Sequence, residues 1–326
     1  MRIWTSLILL LLASCATPVQ QGPRVRIAIG GQAQIVYLPT TLAERLGHYR
    51  AQGLEVELIE FAGGAKALEA LLGGSADVVS GFFDHTIQMA AEGKQMKAFV
   101  AMLKRPGLAL VSTGRVRSVA DLKGKVVGVS APGSSTHMLL NRVLRGQGIA
   151  PDSVAAAGVG MAAGAVAAME HGKVDAAVMA EPALSQLAIR LKQPLVFLAD
   201  TRTAEGTREL YAVDDYPASV FYSSAEWIAK NPEIARRLAL AMQETLKWIH
   251  AHTPAEISKA MPEPMKLGGE EAYVKAIESS MDLFSRDGRL HAQGMQAVAR
   301  VLAEDIEKVG AAKVDPQKCY TDEFLQ

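Results

Sequence analysis

The densest concentration of binding chemistry in this chain is Pro132-Gly133-Ser134-Ser135-Thr136. Gly133 lets backbone approach a ligand closely, and the hydroxyls of Ser134, Ser135 and Thr136 can donate hydrogen bonds. The free N–H groups that open the following helix favour an anion. Ser134 or Ser135 also suits the N-cap of that same helix, and the two roles are compatible. A helix terminus contributes about 0.3–1 kcal/mol to a surface anion, and about 2 kcal/mol to a partly buried one. Micromolar affinity requires about 8 kcal/mol, so groups from elsewhere must converge on this loop.

Candidates for that convergence recur at the ends of apolar runs. Gly63-Gly64 offers backbone N–H groups, or makes a tight turn, and Gln34 closes the Gln32–Gln34 loop. Phe82 and Phe83 can wall or stack on an apolar ligand body, with at least one of them belonging to the core. Asp84 and His85 open a helix, where Asp84 fits a capping role. Glu181 follows a buried strand and either selects an amine or ring N–H or caps the next helix. Arg105 sits near a crossing between lobes, where its guanidinium would clamp a carboxylate or sulfonate, or remain a solvated hinge charge; Arg202 presents the same choice. Enzymatic templates are absent. There is no Gly-x-Ser-x-Gly elbow and no His-Glu-x-x-His, and the 7 histidines are scattered. No catalytic set, metal site or cofactor is expected.

The elements that must position these residues alternate in period. Arg24–Ile29 and Leu54–Ile59 alternate like strands, Thr40–Arg50 and Ala65–Leu72 suit helices, and Asp77–Val79 is a short buried strand. The same grammar resumes after residue 120. Strands are expected at Lys125–Val129, Ala155–Val159, Val174–Met179 and Leu195–Leu198, with helices at Ser134–Gln147, Ala163–Glu170 and Ala183–Leu191. This is the signature of βαβ units around mainly parallel sheets. An internal repeat sharpens it: Ala67, Ala70, Leu71, Gly74 and Asp77 match Ala165, Ala168, Met169, Gly172 and Asp175 at one constant offset. Each copy encodes a helix, a glycine stop and a strand. After Tyr216–Ser223 the chain turns helical. Ser224 suits one N-cap, Asn231-Pro232 another, and Leu238, Met242, Leu246 and Ile249 form one apolar stripe. The expectation is an α/β clamp of two βαβ lobes whose hinge is crossed twice, with residues 24–112 plus 223–326 as lobe I and 113–222 as lobe II.

The N-terminal residues read as an export signal. Arg2 precedes the apolar run Leu7–Leu12, and small residues lead to Leu12-Ala13-Ser14-Cys15. The run is shorter than a membrane span, which needs about 20 residues. Residues 1–14 are expected to be a signal peptide and 15–23 a tether lipidated at Cys15. Cys319 would then have no disulfide partner. With 34 basic and 34 acidic residues, and no basic stripe, nothing points to nucleic acid.

These segments resemble the solute-binding proteins of ABC importers in the nitrate/sulfonate/taurine (SsuA, NMT1) and pyrimidine-precursor (THI5-like) group. The resemblance is carried by Gly53-Leu54-Glu55-Val56-Glu57, Gly63-Gly64 through Leu71, Asp121 through Val129, Gly133-Ser134-Ser135, Glu181-Pro182, Asn231-Pro232-Glu233 and Tyr320 through Leu325. It implies a periplasmic-binding-protein-like fold (a type II clamp) with a small-molecule ligand in the cleft. It further implies an exported monomer with ABC permease and ATPase partners. The ligand expected is a small organic anion or zwitterion. The pyrimidine branch also contains synthases, and a sensory module is a third use of the same clamp. Met179-Ala180, where many relatives have an aromatic before Glu181-Pro182, is a departure that bears on the ligand.

Overall fold

The computed structural model describes residues 22–326; the expected signal peptide (1–14), Cys15 and the tether up to residue 21 lie outside the described residues. Ten strands run in chain order: β1 (Arg24–Gly30), β2 (Glu55–Phe61), β3 (Val78–Phe82), β4 (Met96–Ala101), β5 (Leu108–Ser112), β6 (Val126–Val129), β7 (Ala155–Gly158), β8 (Ala176–Ala180), β9 (Val196–Asp200) and β10 (Ser219–Ser224). They form two five-stranded sheets, ordered β2-β1-β3-β10-β4 and β7-β6-β8-β5-β9. In each sheet the first three strands are parallel and the fourth is antiparallel to both its neighbours. That fourth strand is in each case the first the chain makes after crossing from the other lobe. The two lobes are therefore built alike.

The internal repeat explains part of this likeness at atomic detail. Asp77 accepts from the Arg26 backbone N–H at 2.8 Å, and its own N–H donates to Arg26 O at 2.9 Å. Asp175 repeats both bonds with Val126, at 3.0 and 2.8 Å. Each Asp closes the parallel pair that starts its lobe's sheet, β1 with β3 and β6 with β8. The preceding glycines, Gly74 and Gly172, both take positive φ, +75° and +63°, which lets the helix stop and the chain reverse into the strand.

The crossings differ from the boundaries read in the sequence. Residues 108–112 were assigned to lobe I and 219–222 to lobe II, but β5 pairs with β8 and β9, while β10 pairs with β3 and β4. The chain thus crosses between Ala101 and Leu108 and returns between Tyr211 and Ser219. Both strands are buried, so their composition matches either sheet and only non-local pairing decides between them. Thr40–Arg50 also divides, into Leu38–Arg45 and His48–Ala51, at Gly47 with φ +76°. Asn231 precedes the long helix Pro232–Ala251, but its side chain bonds back to Trp227 O at 2.9 Å rather than capping. Leu238, Met242, Leu246 and Ile249 are buried along that helix as the stripe requires.

Candidate ligand-binding site

The two sheets point the carboxyl ends of their parallel strands at one another, which is where α/β folds place ligands. Gly30 ends β1, Phe82 ends β3 and Ser130 follows β6. These residues line the seam between the lobes with Val36, Tyr37, Gly64, Leu108, Ser134, Ser135, Thr136 and Met161. The lobes are closed on each other, and the space at the centre has room for about one water. A second small space shares Phe82, Leu108 and Ser135 with it and is lined further by Asp84, Met138, Arg142, Tyr211 and Asp305.

Direct bonds hold the seam shut. The Ile35 N–H donates to Glu181 O at 2.8 Å, and the Ala65 N–H donates to Ser134 Oγ at 3.0 Å. Ser135 Oγ donates to Asp84 Oδ1 at 2.9 Å. At the outer edge Arg142 of lobe II pairs with Glu304 at 2.8 Å and Asp305 at 3.4 Å. Neither Ser134 nor Ser135 caps its own helix, Ser135–Gly146. Both hydroxyls reach across to lobe I instead, Ser134 to the helix after Gly63 and Ser135 to the helix after Phe83. Thr136 stays within its loop, bonding the Ser130 N–H at 3.0 Å and the Ser130 hydroxyl at 2.9 Å.

Gly63 earns its place sterically. A Cβ there would lie 2.8 Å from Ser130 Oγ and 2.9 Å from Ser130 Cβ, so glycine lets the lobes meet. A Cβ on Gly64 would meet the His85 ring at 2.9 Å. Gln34 is 1 % exposed, beside Gly31 and Met161, and neither its amide nitrogen nor its oxygen has a hydrogen-bond partner. His85 is likewise 1 % exposed. Its Nδ1 faces the Tyr222 hydroxyl at 3.3 Å, while its Nε2 has no partner of full hydrogen-bond geometry among the described residues. Burial lowers the His85 pKa, only partly offset by Asp84 and by a hydrogen bond to the Gly133 backbone of the other lobe, so the ring is held towards its neutral form. Burial raises the Asp84 pKa against the opposing pull of His85 and the Ser135 hydrogen bond.

Several expected contacts are corrected. Glu181 Oε1 pairs with Arg202 at 3.0 Å and Oε2 accepts from the Ser185 N–H at 3.1 Å, so its carboxylate is spent inside lobe II. Arg202 also bonds Asp200 and lies over the Phe197 ring, away from the seam. Arg105 is 3 % exposed and pairs with Asp282, with Asp215 at 3.9 Å. It ties the first crossing to the second and to the helical return. Phe83 is fully buried in lobe I, leaving Phe82 as the aromatic of the seam, its ring 6.2 Å from that of Tyr37. Gly133 is exposed at the rim, with φ +83° and its N–H on His137 Nδ1. Asp84 bonds the other lobe rather than capping its helix. Tyr37, Arg142 and Tyr222 escaped the sequence reading because no local motif marks them. The Cys319 thiol is buried, with its pKa pushed up to about 11, and has no nucleophilic character. Among the described residues no cluster of His, Cys, Asp or Glu is arranged to hold a metal ion, and no helix is long and apolar enough to cross a membrane.

This architecture has known counterparts. A solved structure from Bordetella bronchiseptica RB50 superimposes with a TM-score of 0.88 at 39% identity, covering 92% of this chain and 95% of that one. The alkanesulfonate-binding protein SsuA from Xanthomonas axonopodis pv. citri, solved with MOPS, gives 0.69 at 22% identity over 91% and 95% of the two chains, a likeness of fold. Among curated proteins, a 4-amino-5-hydroxymethyl-2-methylpyrimidine phosphate synthase from Aspergillus parasiticus is 21% identical over 303 residues, 89% of this chain and 83% of its own length. Residues 34–257 match the family model described as NMT1/THI5 like. The chain belongs to the NMT1/THI5-like family and has the two-lobed periplasmic-binding-protein fold.

Proposed function

We propose that the chain is the solute-capturing component of an ABC importer, holding a small polar solute between its lobes. One observation carries this reading: Gln34, 1 % exposed and next to the Ile35 N–H that bonds Glu181 O of the other lobe, keeps an amide with no hydrogen-bond partner among the described residues. A buried polar group left unpaired costs about 1–3 kcal/mol, so such groups persist where a ligand supplies the missing bonds. A solute must part this seam, whose centre has room for about one water, and it shifts the population towards the arrangement in which it touches both lobes. The structural likeness to SsuA, described as alkanesulfonate-binding, supports transport. The likeness to a synthase supports an enzyme on the same scaffold. We read the chain as capturing its solute without transforming it. The N-terminal pattern supports export and lipid anchoring at Cys15, as a monomer presenting its two lobes to a permease and ATPase.

The test is to purify the chain from the cells that make it, unfold it, and identify the released small molecule by mass spectrometry. That compound, titrated into the refolded chain, should bind saturably at one site and be recovered chemically unchanged. Conversion of the compound overturns capture in favour of catalysis.

A further inference from the structure

Resting on the solute-capture reading, we infer that Asp84 selects the solute. The cleft takes a small nitrogenous compound, neutral or cationic, that presents an N–H donor to this carboxylate, and it rejects anions that lack one. The helix Ser135–Gly146 opens onto the seam, the place where a sequence motif promises an anion site. The protein already puts its own carboxylate there: Asp84, 7 % exposed, accepts from Ser135 Oγ across the lobes. No lysine or arginine lines the centre of the seam. The guanidinium of the adjoining space, Arg142, is committed to Glu304, Asp305 and the Leu210 carbonyl. Arg105 and Arg202, the other candidate clamps for an anion, bond carboxylates elsewhere. His85 is held towards neutrality by burial, so it adds no cation.

The unpartnered groups extend the specification. The Gln34 amide offers one acceptor and one donor group, both buried, and so matches a ligand edge carrying a donor beside an acceptor. Tyr37 and Phe82 supply ring surface at the seam. A carboxylate that accepts from a charged or polar N–H makes a stronger bond than one between neutral groups. A donor-free anion gains only the hydroxyls and the helix terminus, while facing Asp84.

Three probes of one shape isolate the effect: benzoate, benzamide and benzamidine, with ethanesulfonate as a second donor-free anion. Each is titrated calorimetrically into the refolded full chain. Benzamide or benzamidine is expected to bind at least about tenfold tighter than benzoate, and ethanesulfonate to give no saturable heat. Asp84→Asn should shrink the preference for benzamidine over benzoate by about tenfold or more. The wild-type ranking needs no variant, and a matched melting curve confirms that Asp84→Asn is folded. Tighter binding of benzoate or ethanesulfonate by the wild type overturns the role of Asp84 and leaves solute capture standing. So does an Asp84→Asn ranking identical to the wild type. If no probe binds and the native protein releases no small molecule, solute capture itself falls.

Discussion

Gly63→Ala should hold the clamp open while leaving both lobes folded. Gly63 has φ −178° and ψ 170°, extended backbone that alanine adopts without strain. The added methyl therefore acts only through what it meets. In the closed form that is Ser130 of the other lobe, with Oγ at 2.8 Å, Cβ at 2.9 Å and the carbonyl carbon at 3.2 Å. Carbon contacts are optimal at about 3.5–4.0 Å, so the overlap is about half an ångström or more against a residue fixed by its bonds to Thr136. Forcing a methyl into packed structure costs about 1–3 kcal/mol. At about 1.4 kcal/mol per tenfold, closure becomes about 5- to 150-fold less favourable. Where the closed form is the minor state, apparent solute affinity falls by the same factor.

The assay is calorimetric affinity for the solute released from the native protein, paired with small-angle scattering of the free chain. Gly63→Ala should bind more weakly and scatter as a more extended particle, with a melting temperature close to the wild type. Replacing Ser130 by glycine in the same chain removes the two closest atoms and should restore part of the affinity. Gly30→Ala is the contrast. Its Cβ would lie 2.4 Å from the Gly64 nitrogen and 2.5 Å from the Gly63 carbonyl carbon, all within lobe I. That variant should lose stability first. Unchanged affinity and unchanged scattering in a folded Gly63→Ala protein would refute the claim that glycine is there to let the lobes meet.

Other perturbations separate closure from folding. Ser134→Ala removes the bond from the Ala65 N–H but no helix cap, so closure should weaken by about 1 kcal/mol, read as an affinity loss of about fivefold with the melting temperature unchanged. Asp282→Ala leaves the buried Arg105 guanidinium with the backbone carbonyl of that position at 3.1 Å and Asp215 at 3.9 Å as partners, and should cost about 1.5–3 kcal/mol in urea denaturation. Arg105→Leu should cost less, because Asp282 keeps Lys104 at 3.0 Å and is open to water. The bidentate pair of Arg26 and Asp77 sets a pH dependence. Burial opposes ionisation of Asp77, but hydrogen bonds from the Arg26 side chain and backbone prevail and lower its pKa. Its stabilisation, about 1–2 kcal/mol after screening, is therefore full above the unfolded value of about 3.9 and fades as pH drops through the lower folded value. Wild type and Asp77→Asn should differ in melting temperature at pH 6 and converge below about pH 4.

What could be read from the chain depended on how local each cause was. The helix-glycine-strand repeat was legible because Gly74 and Gly172, and then Asp77 and Asp175, act on residues fixed by the same short spacing. Even the atomic role of the two aspartates is the same. The crossings were misplaced because β5 and β10 are buried whichever sheet they join. Arg105 and Glu181 were read as ligand groups because their partners are distant in sequence. Asp282 lies 177 residues from Arg105, and Arg202 lies 21 residues from Glu181. Gln34 and His85 were visible as polar residues in the right loops. Their importance comes from lacking partners, which only the folded neighbourhood defines.

The anion motif shows how a local reading and the folded neighbourhood can pull a ligand preference in opposite directions. Pro132 to Thr136 does present hydroxyls and a helix terminus to the cleft, as its residue types demand. Taken alone, that terminus favours a negative charge by at most about 2 kcal/mol in a partly buried setting. Closing the lobes brings Asp84 from 51 residues away onto Ser135. Burial raises the Asp84 pKa, and its ionised form faces an incoming anion with a like charge in a poorly solvated site. On the inference drawn above, that repulsion opposes the pull of the helix terminus once the second lobe is present. For a solute with an N–H donor, Asp84 turns from an obstacle into the strongest acceptor in the cleft.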